Sequence, residues 1–283
     1  KIVSYTLQYD HVLYNIENEG RSGAEFENYW ARYLKDKAKK KNKEIHVTSM
    51  QIVPSNSVRH VMTYPEIYSY VEISQHNQDA RGATGRVHWD NLSYWRHMIS
   101  SGHAGPMPMN NVKIYGAEDG SNVASGTEKE AVERFWRNIF AGSASSRFHR
   151  SDGNWGMGLN QRAENTLKAM NMLLDEIDIF SSAPFKGCRS VGPSNHAYCL
   201  ANIGEFYAVY FPAGRYTVDL DPWVYMDMVK VKWLKIEEGT WTEQETIEVQ
   251  WGEELSDWWG FRKGISLTTP DNDSYVAVVE VVK

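Results

Sequence analysis

His11-Val12-Leu13-Tyr14-Asn15-Ile16-Glu17-Asn18-Glu19-Gly20 is a short apolar run that breaks off in carboxylates, an amide and a glycine. Its length, its aromatic and β-branched residues and its closing glycine read as a buried strand. The residues before it lead almost directly into the strand, as a processed or truncated end would. A second tip of the same kind is Asn111-Val112-Lys113-Ile114-Tyr115-Gly116-Ala117-Glu118-Asp119-Gly120. Acids at the C-terminal tip of a buried strand that is followed by a helix suit an active site on a parallel β/α fold. Glu19 and Glu118 are therefore the candidate catalytic pair, with Glu17 and Asp119 as their competitors.

Outward from the first tip, Ala24 to Lys40 reads as a helix with Phe26, Tyr29, Trp30, Tyr33, Leu34 and Ala38 on one apolar stripe. Its lysine-rich end suits a helix C-terminus, where cations meet the negative end of the dipole. Glu44 to Met50 is a second strand, Pro54 to Pro65 a loop, and Ile67 to Ser74 a third strand with Gln75, His76 and Asn77 at its tip. A helix over Asp90 to Ser101 and a Gly/Pro-rich link lead into the fourth strand, Val112 to Ala117. Thr127-Glu128-Lys129-Glu130 is a capping box for a helix striped by Ala131, Val132, Phe135, Trp136, Ile139 and Phe140. Ser145 to His149 is a short fifth strand, and Asn160 to Ile179 a long helix.

Strands alternating with helices at this spacing argue a parallel β/α architecture. From Pro184 onward the pattern changes to short strands and turns: Ala197–Ile203, Phe206–Phe211, Arg215–Leu220, Val229–Ile236, Thr246–Trp251, Gly264–Thr268 and Tyr275–Val282. Short strands at that spacing indicate an all-β sandwich. The expected division is thus 1–182, α/β and catalytic, and 183–283, an accessory β-sandwich.

Composition bounds the function. The chain has 283 residues, 42% hydrophobic and 23% charged, which are globular values. A net charge of -6 offers no basic excess to neutralise nucleic-acid phosphates. The 11 Trp and 16 Tyr exceed what a core requires, and such rings either line sugar-binding grooves or pack a sandwich. No Cys–His spacing or HExxH suggests a metal, no run is long enough to cross a membrane, and the first residues are no signal peptide. Cys188 and Cys199 are either one disulfide or two buried thiols, and their number does not decide it.

Asn18-Glu19 at one strand tip, with Glu118 at the tip three strands later, resembles the large clan of glycoside hydrolases built on (β/α)8 barrels. In that clan the acid/base glutamate follows an asparagine at the end of strand 4 and the nucleophile ends strand 7. The strands found here would then be strands 4 to 8, and the C-terminal strands resemble the sandwich often appended to such barrels. The resemblance implies a retaining glycoside hydrolase acting on a poly- or oligosaccharide, with neither metal nor organic cofactor. Glu19 would be the acid/base, Glu118 the nucleophile, and Asn18 a hydrogen-bond partner of a substrate hydroxyl. Gln75 and His76 would touch sugar hydroxyls or orient the nucleophile, His149 with Arg150 would close strand 8, and Trp155 and Trp89 would be stacking platforms on mouth loops. Trp258-Trp259 could bind glycan or pack. The bland reading of the acids is as dipole partners at helix N-termini.

Strands 1 to 3 have no counterpart, and half a barrel would expose a sheet edge. A second polypeptide, a nicked precursor or a self-associating copy is the expected partner. The substrate class implies a secreted or periplasmic protein. The alternative function is a catalytically inactive carbohydrate-binding or scaffold protein.

Overall fold

A computed structural model describes residues 2–77, 87–114, 128–148, 161–190, 197–249, 251 and 264–282. The fold is mixed α/β. Its first part alternates helices and parallel strands: α1 (Ile2–Thr6), β1 (Leu13–Gly20), α2 (Ala24–Lys39), β2 (His46–Gln51), α3 (Pro54–Thr63), β3 (Val71–Glu72), α4 (Ser74–Asn77), α5 (Val87–Ser100), β4 (Met109–Ile114), α6 (Glu128–Phe140), β5 (Ser145–Phe148) and α7 (Gln161–Glu176). β1 pairs with β2, β3 with β4 and β4 with β5, all in parallel. Ser69 N–H donates to the Val47 carbonyl and Thr48 Oγ1 to the Tyr70 carbonyl, at 3.0 and 2.7 Å, which ties β2 to the segment entering β3. Val47, Val58, Val61, Ile67, Val71, Ile73, Leu92 and Ile99 form the core beneath these strands.

Three expectations change. Residues 2–6 are helical, so β1 begins at Leu13 after a turn rather than close to the chain end. Pro54 to Thr63 is a helix and no loop. Proline fits its first turn, where no N–H partner exists, and Val58 and Val61 bury a face three residues apart. The third strand shrinks to Val71–Glu72, because Ile67 and Tyr68 donate their N–H groups back to the Tyr64 carbonyl in a turn.

The rings of the α2 stripe point away from the core, while its Ala38 is buried. Phe26, Tyr29, Trp30 and Tyr33 are all exposed, touching one another edge to face. The buried face carries Glu27, Asn28, Ala31 and Ala38. Glu27, fully buried, accepts from Ser49 Oγ at 2.8 Å and Gln51 Nε2 at 3.1 Å, and His60 Nε2 lies 3.1 Å from it. Tyr68 OH donates to Asn28 Oδ1 at 2.9 Å and lies 2.9 Å from His60 Nε2. A buried carboxylate is tolerable only with such a set of donors, so polar groups rather than rings seat α2 on β2 and α3.

After a turn at Ile179–Ser181 the elements among the described residues are all strands: β6 (Ala183–Phe185), β7 (Cys188–Ser190), β8 (Tyr198–Asn202), β9 (Phe206–Phe211), β10 (Thr217–Leu220), β11 (Met228–Lys235), β12 (Thr240–Trp241), β13 (Glu245–Glu248), β14 (Ile265–Thr268) and β15 (Tyr275–Val281). A seven-stranded antiparallel sheet runs β12-β11-β15-β9-β8-β6 with β13 also on β11, and a three-stranded sheet runs β14-β10-β7.

β9 shows why the larger sheet is apolar on both sides. Successive strand residues face opposite ways. Tyr207, Val209 and Phe211 join a cluster with Val218, Leu220, Ile265 and Leu267 of the smaller sheet. Phe206, Ala208 and Tyr210 join another with Trp136, Phe140, Met170 and Leu173 of α6 and α7. Trp136 lies flat against Tyr210, centroids 5.8 Å apart and planes at 21°. Arg137 Nε donates to Tyr198 OH at 3.1 Å across the same seam. The cysteines are two free thiols; burial and the neighbouring Cys188 push the Cys199 thiol well up.

Candidate active site

β1 does not run to its tip as a regular strand. Its register against β2 passes from Asn15 opposite Thr48 to Asn18 opposite Met50 and Gly20 opposite Gln51, slipping at both steps. Irregularities of this kind re-aim side chains. Glu19 completes the break with a left-handed backbone, φ 56, unusual for a residue with a side chain. Simple alternation would put Glu17 and Glu19 on one face, and the slips separate them. Glu17 folds over Gly20 and accepts from Ser22 N–H at 3.3 Å and Ser22 Oγ at 2.5 Å. A Cβ on Gly20 would lie 2.6 Å from Glu17 Cβ, so a side chain there would displace Glu17. Glu17 is thus committed to the turn, and Glu19 is the acid directed across the strands.

There it meets Lys113, near the end of β4, whose ammonium contacts Glu19 Oε1. The Lys113 side chain is only 4% exposed and that of Glu19 39%. Hydrogen bonding by Lys113 holds the Glu19 carboxyl below the usual carboxylate range, with Gln75 and Arg21 acting in the same direction against desolvation. Gln75, in α4 directly after β3, therefore shares this locus with Glu19.

Below them lies a row of polar side chains. Glu72 on β3, Asn110 on β4 and Ser145 on β5 are register partners. Asn110 Nδ2 donates to Glu72 Oε2 at 2.7 Å, Ser74 N–H donates to Glu72 Oε1 at 2.8 Å, and Ser145 Oγ bonds Asn110 Oδ1. Burial pushes the Glu72 carboxyl up to about 7, against the pull of Ser74, Val112 and Asn110. A cavity of about 230 Å³ opens at the opposite end of the strands, where Leu13, His46, Met109 and Ser145 are the first residues of β1, β2, β4 and β5. It lies at the N-terminal ends of these strands, away from Glu19 at the C-terminal end of β1.

Of the other expected site residues, Asn18 is exposed beside Glu19. His76 follows Gln75 in α4. Trp89 is in helix α5 rather than on a loop, partly buried, its ring 5.9 Å from Tyr198. That position is explained by packing between the parallel strands and the seven-stranded sheet. Glu118, Asp119, His149, Arg150, Trp155, Trp258 and Trp259 lie outside the described residues. Lys113 and Glu72 escaped the sequence reading, although a lysine inside Val112-Lys113-Ile114 was the available signal: a cation in an apolar strand needs a partner. Among the described residues no group of three His, Cys, Asp or Glu side chains could hold a metal ion, and no helix is long and apolar enough to cross a membrane.

No family model matches the sequence, and no curated protein does. Solved structures do match in shape. One, described as a glycoside hydrolase, superposes with a TM-score of 0.68 at 13% identity over 99% of this chain and 67% of its own. A glycoside hydrolase family 5 protein from Bacteroides vulgatus ATCC 8482 gives 0.67 at 14% identity, over 99% and 64%. The chain shares its fold with glycoside hydrolases. It spans about two thirds of the length of these structures.

Proposed function

We propose that this chain carries the acid/base and nucleophile of a retaining glycoside hydrolase that cleaves a poly- or oligosaccharide. The observation that carries this reading is the meeting of Glu19 and Lys113, since it brings the tip of β1 and the end of β4 to one place. Glu118 follows β4 by a few residues in the sequence and is the proposed partner carboxyl of Glu19. Retaining enzymes need two carboxyls about 5–5.5 Å apart. Glu118 would attack the anomeric carbon while Glu19 protonates the departing oxygen. Glu19, then a carboxylate, would take a proton from the water that releases the sugar. No metal or organic cofactor enters these steps. Asn18, Gln75, His76, His149 and Trp155 are the proposed sugar contacts.

In this reading β1 to β5 are strands 4 to 8 of a (β/α)8 barrel, 1–182 is the catalytic unit and 183–283 an appended β-sandwich. The edge of β1, unpaired among the described residues, the exposed rings of Phe26, Tyr29, Trp30 and Tyr33, and the cavity at the strand feet all suit burial against the remaining barrel strands. We propose that further strands of the barrel cover these surfaces. A polymeric substrate is met outside the cytoplasm, which favours a secreted or periplasmic location.

The test is turnover of aryl glycosides by the completed protein, with the anomer of the first-formed product followed by NMR. Glu19→Gln and Glu118→Gln should each lower kcat at least about 100-fold, with retention of configuration in the parent. Equal turnover by parent and Glu118→Gln, or none by either on any glycan, would overturn the proposal. The alternative, an inactive carbohydrate-binding protein, draws on the same ion pair, because a carboxylate held by lysine is a poor acid.

A further inference from the structure

We infer that Lys113 is a positioning residue for Glu19: it draws the carboxylate across the strand tips and holds it in its ionised form until a substrate oxygen replaces the ammonium. This deepens the proposed function, which assigns Glu19 its role but gives none to Lys113.

The physical basis is burial and reach. Lys113 is almost fully enclosed and sits on β4, with its backbone N–H fixed to Asn111 Oδ1 at 3.1 Å. An enclosed ammonium is stable only beside an anion or several acceptors, and among the described residues Lys113 meets Glu19 Oε1. Glu19, in turn, makes this contact from a left-handed backbone, φ 56. Strain of that kind persists where surrounding contacts over-determine it. The charged and polar groups acting on Glu19 among the described residues are Lys113 from β4, Arg21 from the turn after β1 and Gln75 from α4, and all three favour the carboxylate.

The consequence concerns which half of a double displacement is favoured. The first half needs Glu19 protonated and the second needs it ionised. Lys113 supports the second. Protonated Glu19 should thus be confined to acidic solution, and the alkaline limb of kcat/KM should lie lower than it would without the lysine.

The decisive experiment does not require turnover. The Glu19 carboxyl is followed by ¹³C NMR titration, its resonance assigned by its loss in Glu19→Gln. Lys113→Met should move the midpoint upward, and Lys113→Arg should leave it near that of the parent. In turnover, the ratio of kcat/KM at pH 7.5 to that at pH 5 should rise on the order of threefold or more in Lys113→Met. If Lys113→Met does not fold, Lys113→Gln gives the same readout. An unmoved midpoint in the uncharged variants overturns the role of Lys113. Full activity of Glu19→Gln would instead overturn the proposed function and leave the titration result standing.

Discussion

Glu72→Gln tests the polar row under the mouth. Glu72 is 2% exposed, and its carboxyl is raised from 4.5 to about 7, chiefly by burial. A raised carboxyl binds its proton more tightly folded than unfolded. The resulting stability is fully present below the unfolded value of 4.5 and is lost as pH rises through about 7. At about 1.4 kcal/mol per unit, the loss comes to roughly 3 kcal/mol, most of it between pH 5 and pH 8.5. Glutamine carries no proton to lose, so the variant should lack this contribution. Urea unfolding of both proteins across that range measures it: the parent should lose about 2–3 kcal/mol more than Glu72→Gln. Parallel pH profiles for the two proteins would refute the reasoning and show that the donors Ser74 and Asn110 outweigh the desolvation of Glu72.

Trp136→Ala removes a fully buried ring stacked on Tyr210 and should cost about 3–5 kcal/mol in denaturant unfolding. Tyr68→Phe deprives Asn28 and His60 of their buried partner and should cost about 1–3 kcal/mol by the same measurement. Trp30→Ser removes an exposed ring and should change stability by no more than about 0.5 kcal/mol in denaturant unfolding. Free-thiol titration should count both Cys188 and Cys199, with Cys199 reacting only after unfolding because its thiol is enclosed and its ionisation suppressed.

Much of the framework was legible because periodicity reports burial. The helices α2, α5 and α7 follow from apolar spacing, and the strands around Glu19 and Asn111 from short apolar runs closed by polar tips. Residues 54–63 were not legible as a helix, since Ser55, Asn56 and Ser57 imitate a turn and only Val58 and Val61 betray a face. The direction of the α2 stripe was not legible either. Periodicity shows that rings share a side, but not whether that side meets this chain's core, and here Glu27 and Asn28 took the inner position by finding donors on β2 and partners on α3 and Tyr68. At the site, Glu19 stood out as an acid at a strand end. Its preference over Glu17 depends on register slips that no count of alternate residues reveals. Lys113 was hidden because its reason for being there lies 94 residues away.

The seam between α6, α7 and the seven-stranded sheet bears on how this protein can be handled. Trp136, Phe140, Leu173, Tyr198, Tyr210 and Val276 belong to one continuous apolar cluster that crosses the change from α/β to all-β sequence. Cleaving the polypeptide at residue 182 would strip both products along that surface. The C-terminal strands are therefore no portable cassette. Shuffling them onto another enzyme, or expressing them by themselves, would yield an insoluble sheet unless α6 and α7 travel with it.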